Sequence, residues 1–249
     1  TPGVLLLAAS LILLSSLLRS ARIAVLVQRN PFRIYPTQLV GSFFGSVTPG
    51  NFGEFMKIAL LKRRHQVTTP QATSALIVER TAEAVVLLLI AIPILRAGLL
   101  DLTTSTTAVL AVLGLGLVLG SVLFRAKPRG ATRHVAAVKV WAWSAVRACL
   151  ASCPDRIAII ASVTLSLSVW SIETCVLWFF LHAAGAQADF FTLAHALAAA
   201  VLLGTLSGLP AGAGVFDFSL GGMLVLTVGV GEPQAISTIV LYRIVSTSF

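Results

Sequence analysis

Charged residues are scarce in this chain. They make up 11% of its 249 residues, whereas a soluble domain carries about 25%, and hydrophobic residues make up 57%. This composition excludes an ordinary soluble domain and predicts an all-α polytopic membrane protein. Cysteine is scarce as well: Cys149, Cys153 and Cys175 are odd in number, and the first two lie four residues apart without further ligand partners nearby. They therefore predict neither a disulfide framework nor a zinc site.

Recognisable catalytic and nucleotide-binding motifs are also missing. No Ser/His/Asp arrangement and no metal-ligand cluster stands out, and "GLGLVLG" at 114–120 lies in an apolar run without the strand and turn of a phosphate-binding loop. The net charge of +9 is first a topology signal in a membrane protein. We therefore predict no cofactor, no metal, no nucleic-acid partner and no enzymatic activity.

Apolar runs long enough for helical spans occur at five places, since a span needs about 20 residues. The first run has no positively charged region before it and does not resemble a signal peptide. The last run has roughly 16 residues and would be about 24 Å long, shorter than the bilayer core. Because the chain also starts without Met at Thr1, we expect a fragment or trimmed ends. The runs are 4–18 (extending to 27 at most), 72–95, 106–124, 157–183 and 234–249.

Basic residues predict the topology, because 15 of the 18 fall in two zones. Both zones should be cytoplasmic by the positive-inside rule. The first zone brackets the apolar segment 36–56 on both sides, so this segment should enter and leave the membrane on one face. The predicted cytoplasmic loops are 19–35, 57–70 and 125–156. The first zone holds Arg19, Arg22, Arg29, Arg33, Lys57, Lys62, Arg63 and Arg64, and the second holds Arg125, Lys127, Arg129, Arg133, Lys139, Arg147 and Arg156.

The first of these segments has the composition of a re-entrant hairpin. Its centre reads "TPGNFGEFMK" at 48–57. Pro49 blocks helix continuation, while Gly50 and Gly53 permit other backbone conformations. Non-helical backbone at membrane depth is tolerated where it is buried in protein or lines a water-filled cavity. We therefore predict a break at these three residues.

A second hairpin is predicted at 191–230, entering from the outside, because no Lys or Arg occurs between 183 and 232. Its predicted break contains Pro210, Gly212 and Gly214. The two hairpins resemble each other in sequence: "SVTPGNFGEFMK" overlays "SGLPAGAGVFDF" at an offset of 161, and "PQATSALIVER" overlays "PQAISTIVLYR" at an offset of 163. Two matches at nearly the same offset predict an internal repeat.

The repeat should be inverted. Three full crossings separate the two hairpins, and an odd number turns the second unit upside down. Inverted repeats with broken helices are the architecture of many secondary transporters. We predict one transmembrane domain over 1–249, with repeat units at about 36–95 and 191–249, about five full spans and two re-entrant hairpins.

Each repeat supplies an acid near its break, Glu54 and Asp217, and an arginine on the following helix, Arg80 and Arg243. An ionisable group at mid-membrane costs several kcal/mol, so it normally faces a partner or a water-filled cavity. These four residues are candidates for the functional site.

Further acids lie close to them in sequence or at mid-span. Glu79 and Glu83 flank Arg80, and Glu83 can pair with it along one helix face; Glu173 lies inside the run at 157–183. Two interpretations remain open. The charges form salt bridges that pin the repeats together, or they line a polar cavity where arginines hold a phosphate and acids receive a cationic group or a proton.

These motifs resemble a known family. "TPGNFGEFMK…LLKRRH", "ALIVERTAEAVVLLL", "GLPAGAGVFDFSLGGML" and "IVLYRIV" are similar to the flippase-like transmembrane family typified by the membrane domain of lysylphosphatidylglycerol synthase. The resemblance implies functional roles for Glu54, Glu79, Arg80 and Arg243. The family usually carries glutamate where this chain has Asp217, which keeps the charge but shortens its reach.

The resemblance implies a stand-alone lipid flippase or transporter of the bacterial inner membrane, acting on a phospholipid or another polar-headgroup lipid of anionic, aminoacylated or isoprenoid type. Two alternatives remain open: a membrane-embedded transferase that uses a lipid-linked donor, and a non-transporting partner of a lipid-synthesis enzyme. Movement of a headgroup without chemical change would distinguish the first function from the other two.

Overall fold

The computed structural model describes residues 2–96, 147–148 and 151–247. Within these ranges the chain is helical and contains no strand. This confirms the predicted all-α architecture for the described residues. The predicted span 106–124 and most of the predicted basic loop 125–156 lie outside the described residues. The helices are α1 Pro2–Val27, α2 Pro31–Val47, α3 Met56–His65, α4 Thr69–Arg96, α5 Arg156–Ala183, α6 Phe190–Leu206, α7 Val215–Leu226 and α8 Glu232–Thr247.

Two of the described helices are long and apolar enough to span a membrane: Gly3–Val27 and Arg156–Ala183. α4 has 28 residues but carries three charged side chains near its middle, and α8 has only 16 residues. The number of five spans therefore stays a prediction.

The predicted loop boundaries at the first basic zone were wrong. Residues 19–27 continue α1, and only 28–30 connect α1 to α2. Most of the predicted loop 57–70 is also helical, since α3 extends to His65 and α4 begins at Thr69. Hydropathy misplaced these boundaries because the basic residues of α1 and α3 interrupt the apolar runs without ending the helices.

Helix ends follow local sequence signals. Asn30 caps α2 by accepting a hydrogen bond of 2.9 Å from the backbone N–H of Phe32, and Asp155 and Asp189 cap α5 and α6 in the same way. Such caps satisfy backbone donors that have no partner inside the helix.

Each predicted hairpin is a helix, a break and a returning helix. The first hairpin (residues 31–65) consists of α2, a 3₁₀ segment at Pro49–Phe55 and α3; the second (residues 190–226) consists of α6, a 3₁₀ turn at Pro210–Gly212 and α7. The first begins earlier than predicted, and Pro36 lies inside α2. In both hairpins the two helices pack against each other.

The core has two apolar clusters with a polar layer between them. The larger cluster joins α5, α6, α7 and α8 to the second half of α4 and to Ala8 and Ile12 of α1, and the smaller one surrounds Ile23 and Val27 at the other end of α1. Between them α1 carries Arg19 and Arg22, and α4 and α5 likewise carry polar residues between apolar ones. The polar layer is where the candidate functional site lies.

Candidate functional site at the junction of the two hairpins

The two breaks have the same backbone conformation. After Pro49, Gly50 and Asn51 adopt left-handed φ angles of 61° and 59°. After Pro210, Ala211 and Gly212 adopt φ angles of 49° and 62°. These pairs correspond at the offset of 161 found in the sequence, so the repeat extends to a conformation that non-glycine residues rarely adopt.

Glycines let backbone segments of the same hairpin approach each other closely at the breaks. A Cβ built on Gly53 would lie 2.0 Å from the carbonyl oxygen of Phe44, and one built on Gly212 would lie 2.9 Å from Cα of Gly204. Any side chain at either position would force these backbone segments apart. The tight turn after each proline therefore depends on these residues.

The two hairpins meet at their breaks. The backbone N–H of Gly50 donates a hydrogen bond of 2.8 Å to the carbonyl oxygen of Gly208, and the contacts between the hairpins are concentrated around the two 3₁₀ segments. The contact between the two hairpins is therefore a junction between their breaks.

A cluster of ion pairs lies beside the first break. Arg22 donates to Oε1 of Glu79 at 2.7 Å and to Ser166 at 2.9 Å, and its Nη2 lies 3.4 Å from Glu83. Lys57 is also buried, with its Nζ 3.7 Å from Oε1 of Glu79. Arg22 and Lys57 thus both lie against the carboxylate of Glu79, which compensates for their removal from water.

Arg80 contacts three carboxylates at once. Its Nη atoms lie 3.2 Å from Glu54, 3.1 Å from Glu79 and 3.0 Å from Glu83. Glu54 also lies 3.5 Å from Lys57. Although 37% of the Arg80 side chain is exposed, most of its charge is already matched within the protein.

Glu173 connects this cluster to the second repeat. Its Oε1 accepts hydrogen bonds from Ser15 at 2.8 Å and Arg19 at 3.1 Å, and its Oε2 accepts one from Tyr242 at 3.1 Å. Arg19 also lies 3.7 Å from Glu83. The carboxylate of Glu173 thus joins α1 and α8 across α5.

Arg243 and Asp217 form a separate ion pair at the second break. Arg243 Nε and Nη2 donate to the two carboxylate oxygens of Asp217 at 2.7 and 3.1 Å, and Nη1 donates to the carbonyl oxygen of Ala211 at 3.0 Å. The guanidinium also lies 4.4 Å from the ring centroid of Phe216. Asp217 additionally accepts a hydrogen bond from the backbone N–H of Gly214 at 3.0 Å and so caps α7.

Two polar cavities of about 200 Å³ adjoin the junction. Arg19, Glu54 and Glu173 supply charge to the first, and Arg243 supplies charge to the second. Both cavities are lined by Asn51, Ala211 and Ser246. The cavities therefore form two lobes around the contact between the breaks.

The structure brings Glu54, Glu79, Arg80 and Glu83 into one cluster, and of these acids only Glu79 and Glu83 were predicted from sequence to lie beside Arg80. It holds the candidates Asp217 and Arg243 together in a different ion pair. Among the described residues, no group of three or more His, Cys, Asp or Glu side chains is placed to hold a metal ion.

Sequence reasoning missed several members of the cluster. Arg19, Arg22 and Lys57 were placed in a cytoplasmic basic zone, yet Arg22 and Lys57 are almost completely buried. The excess of acids on α4 was the available signal, since Glu79 and Glu83 outnumber Arg80 and require cations from elsewhere. Tyr242 gave no signal apart from its position beside Arg243.

Comparison with known proteins identifies the family. No curated protein matches the chain. A family model described as the lysylphosphatidylglycerol synthase TM region matches residues 1–249, which confirms the resemblance predicted from the motifs. The chain therefore belongs to the lysylphosphatidylglycerol synthase transmembrane-region family.

Proposed function

We propose that this protein moves a lipid with an anionic polar headgroup across the bacterial inner membrane. Family membership makes it a membrane protein of lipid handling. The observation that carries the proposal is the two-lobed polar cavity at the junction of the two hairpin breaks, lined by charged residues of both repeats. A headgroup needs such a polar environment because transfer of a charge into hydrocarbon is costly.

Arg243 is the residue that we assign to the anionic group of the headgroup. It lines one lobe, and 24% of its side chain is exposed. Its guanidinium can hold phosphate with two parallel hydrogen bonds. Asp217 faces it in the structure, so a phosphate would compete with this carboxylate for the guanidinium.

Arg80 is less suited to this role. Three carboxylates surround it at 3.0 to 3.2 Å, and an incoming phosphate would meet their negative charge. We therefore assign the cluster around Arg22, Glu79 and Arg80 to the stability of the first repeat. Glu54 belongs both to this cluster and to the lining of a lobe, so it is the member of the cluster that can contact the headgroup.

Transport also requires access from both faces. We propose that the hairpins are re-entrant and inverted, so that one lobe opens toward each side as the repeats move relative to each other. The hydrogen bond between Gly50 and Gly208 would break and form again in this cycle. Backbone groups at membrane depth can make such an exchange where they adjoin a polar cavity.

Reconstitution of the purified full chain tests the proposal. Vesicles would contain phosphatidylglycerol with a fluorescent headgroup, and a membrane-impermeant reductant would quench only the outer leaflet. We expect the protein to expose the inner-leaflet pool to the reductant, with the lipid chemically unchanged by mass spectrometry. A chemically altered lipid would identify a transferase, and a fully protected inner pool would contradict the proposal for this lipid class.

A further inference from the structure

An apolar groove runs between α7 and α8 on the second repeat. Its volume is about 770 Å³. Gly221 and Gly222 leave space along it, and a Cβ built on Gly222 would meet no atom within 4 Å. Side chains that line the groove include Phe218, Val225, Leu226, Ile236, Ile239 and Val240.

The two ends of the groove differ in charge. Asp217 and Arg243 lie at one end, and Glu232 lies at the other. Since α7 rises about 1.5 Å per residue, the distance from Asp217 to Leu226 is roughly 14 Å, about half of the hydrocarbon core of a bilayer. The groove thus has about the length of a lipid chain, and Arg243 and its partner Asp217 lie together at one end.

Arg243 borders both the groove and the polar lobe at the junction. A ligand that bound here would place a polar group in the lobe beside Arg243 and an apolar group in the groove. A negative group can replace Asp217 on the Arg243 guanidinium, whereas at the other end the carboxylate of Glu232 repels it. A phosphate attached to a hydrocarbon chain has this arrangement.

We propose that the groove between α7 and α8 binds one hydrocarbon chain of a lipid whose phosphate is bound by Arg243. The proposal rests on the proposed function and adds to it a binding site for the apolar part of the substrate. The phosphate competes with Asp217 for the guanidinium, while the chain covers the apolar side chains of α7 and α8.

Photo-crosslinking of the full chain in vesicles tests this site. The probe is phosphatidylglycerol with a diazirine in one acyl chain, and the control probe is diacylglycerol with the same chain. We expect phosphatidylglycerol adducts to concentrate on α7 and α8 and to lose this concentration in Arg243→Gln. Two results would overturn the proposal, because each would show coverage by bulk lipid. One is an even spread of adducts over exposed apolar positions such as Leu6 and Leu89. The other is an equal concentration of diacylglycerol adducts on α7 and α8.

A variant that fills the groove gives a second test. Gly222→Trp places a large side chain into the open space, and Leu89→Trp is its control on an exposed apolar position of α4. We expect Gly222→Trp to lower the adduct yield on α7 and α8 by about tenfold, the change that accompanies a tenfold loss of affinity, and Leu89→Trp to leave it unchanged. An undiminished yield in a folded Gly222→Trp variant would contradict the proposal; if this variant does not fold, the Arg243→Gln result decides.

The two proposals fail in different ways. Headgroup transport by the wild-type protein together with evenly spread adducts would refute the groove and leave the proposed function standing. Concentrated adducts without headgroup transport would retain the groove as a lipid site and refute the proposed function.

Discussion

Arg22 of α1 donates a hydrogen bond of 2.7 Å to Glu79 of α4, and neither side chain exposes any surface. Neither residue lines the two polar cavities at the junction. Their charges balance each other inside the protein, where a single charge would be severely destabilising. This pair therefore has a structural role, since it joins α1 to α4 of the first repeat.

Removal of either partner should make the protein less stable. We expect Arg22→Gln and Glu79→Gln each to lower the free energy of unfolding by about 3–5 kcal/mol, because the remaining charge stays buried without compensation. The double variant should lose less than the sum of the two. Chemical denaturation in detergent micelles measures these changes, with Arg63→Gln on the exposed end of α3 as control; simple additivity would contradict a direct coupling.

The two arginines of the repeat should respond differently to the same substitution. Arg80→Gln should mainly reduce stability, since Glu54, Glu79 and Glu83 lose a shared cation. Arg243→Gln should mainly abolish headgroup transport while the protein still accumulates in the membrane. Thermal unfolding and the vesicle assay on the same preparations separate the two effects, and equal losses of stability in both variants would argue that Arg243 is also structural.

The acids near the breaks should also differ. Glu54→Gln removes one carboxylate from the buried Lys57 and leaves Glu79 at 3.7 Å, so we expect a loss of about 1–3 kcal/mol in stability together with loss of transport. Asp217→Asn keeps the side-chain oxygen that caps α7 and leaves a partly exposed arginine, so stability should change by less than about 1 kcal/mol. Transport should still be lost, because the variant has no carboxylate at this position to displace the phosphate from Arg243 and so release the lipid. Wild-type transport by both variants would remove the acids from the mechanism.

Much of the hairpin architecture could be predicted from sequence. Pro49 and Pro210 mark the two breaks because proline constrains the backbone locally, wherever the chain lies. The offset of 161 even places Gly50 and Asn51 opposite Ala211 and Gly212, which share the left-handed conformation. Local sequence determines such features, so they are readable without tertiary contacts.

The partners of the charged residues could not be predicted in the same way. Arg22 pairs with Glu79 and Lys57 lies near the same carboxylate, but the positive-inside rule assigns both cations to a cytoplasmic zone. The rule counts charges along the chain, whereas burial depends on which helices pack together. Arg80 and Arg243 occupy equivalent positions in the repeat, which predicts similar surroundings for them. Their surroundings differ because the first repeat has more acids than the second.

The close contact at the first break gives a further prediction. Gly53→Ala would place a Cβ 2.0 Å from the carbonyl oxygen of Phe44, and backbone cannot move aside as a side chain can. We expect a loss of about 1–3 kcal/mol, as in other overpacked sites, and impaired transport. Gly222→Ala is the matched control, since its Cβ meets open space; similar stability of the two variants would show that the break adapts more easily than its packing suggests.

The inverted arrangement can be tested by thiol labelling of intact cells. In a background without Cys149, Cys153 and Cys175, single cysteines would replace Phe32 and Thr69, which are exposed at the two ends of the first hairpin, and Gln187, which is exposed before the second. We expect an impermeant maleimide to label Gln187→Cys from outside. Phe32→Cys and Thr69→Cys should label only after the membrane is permeabilised, which also controls for the reactivity of each thiol.

Each alternative topology gives a different labelling pattern. Labelling of Thr69→Cys but not of Phe32→Cys from outside would mean that the first hairpin crosses the membrane completely. Labelling of all three positions from the same side would mean that both hairpins enter from one face. In that case the hydrogen bond between Gly50 and Gly208 would join two hairpins side by side, and a transport cycle based on inverted repeats would lose its support, because the two lobes would then open toward the same side.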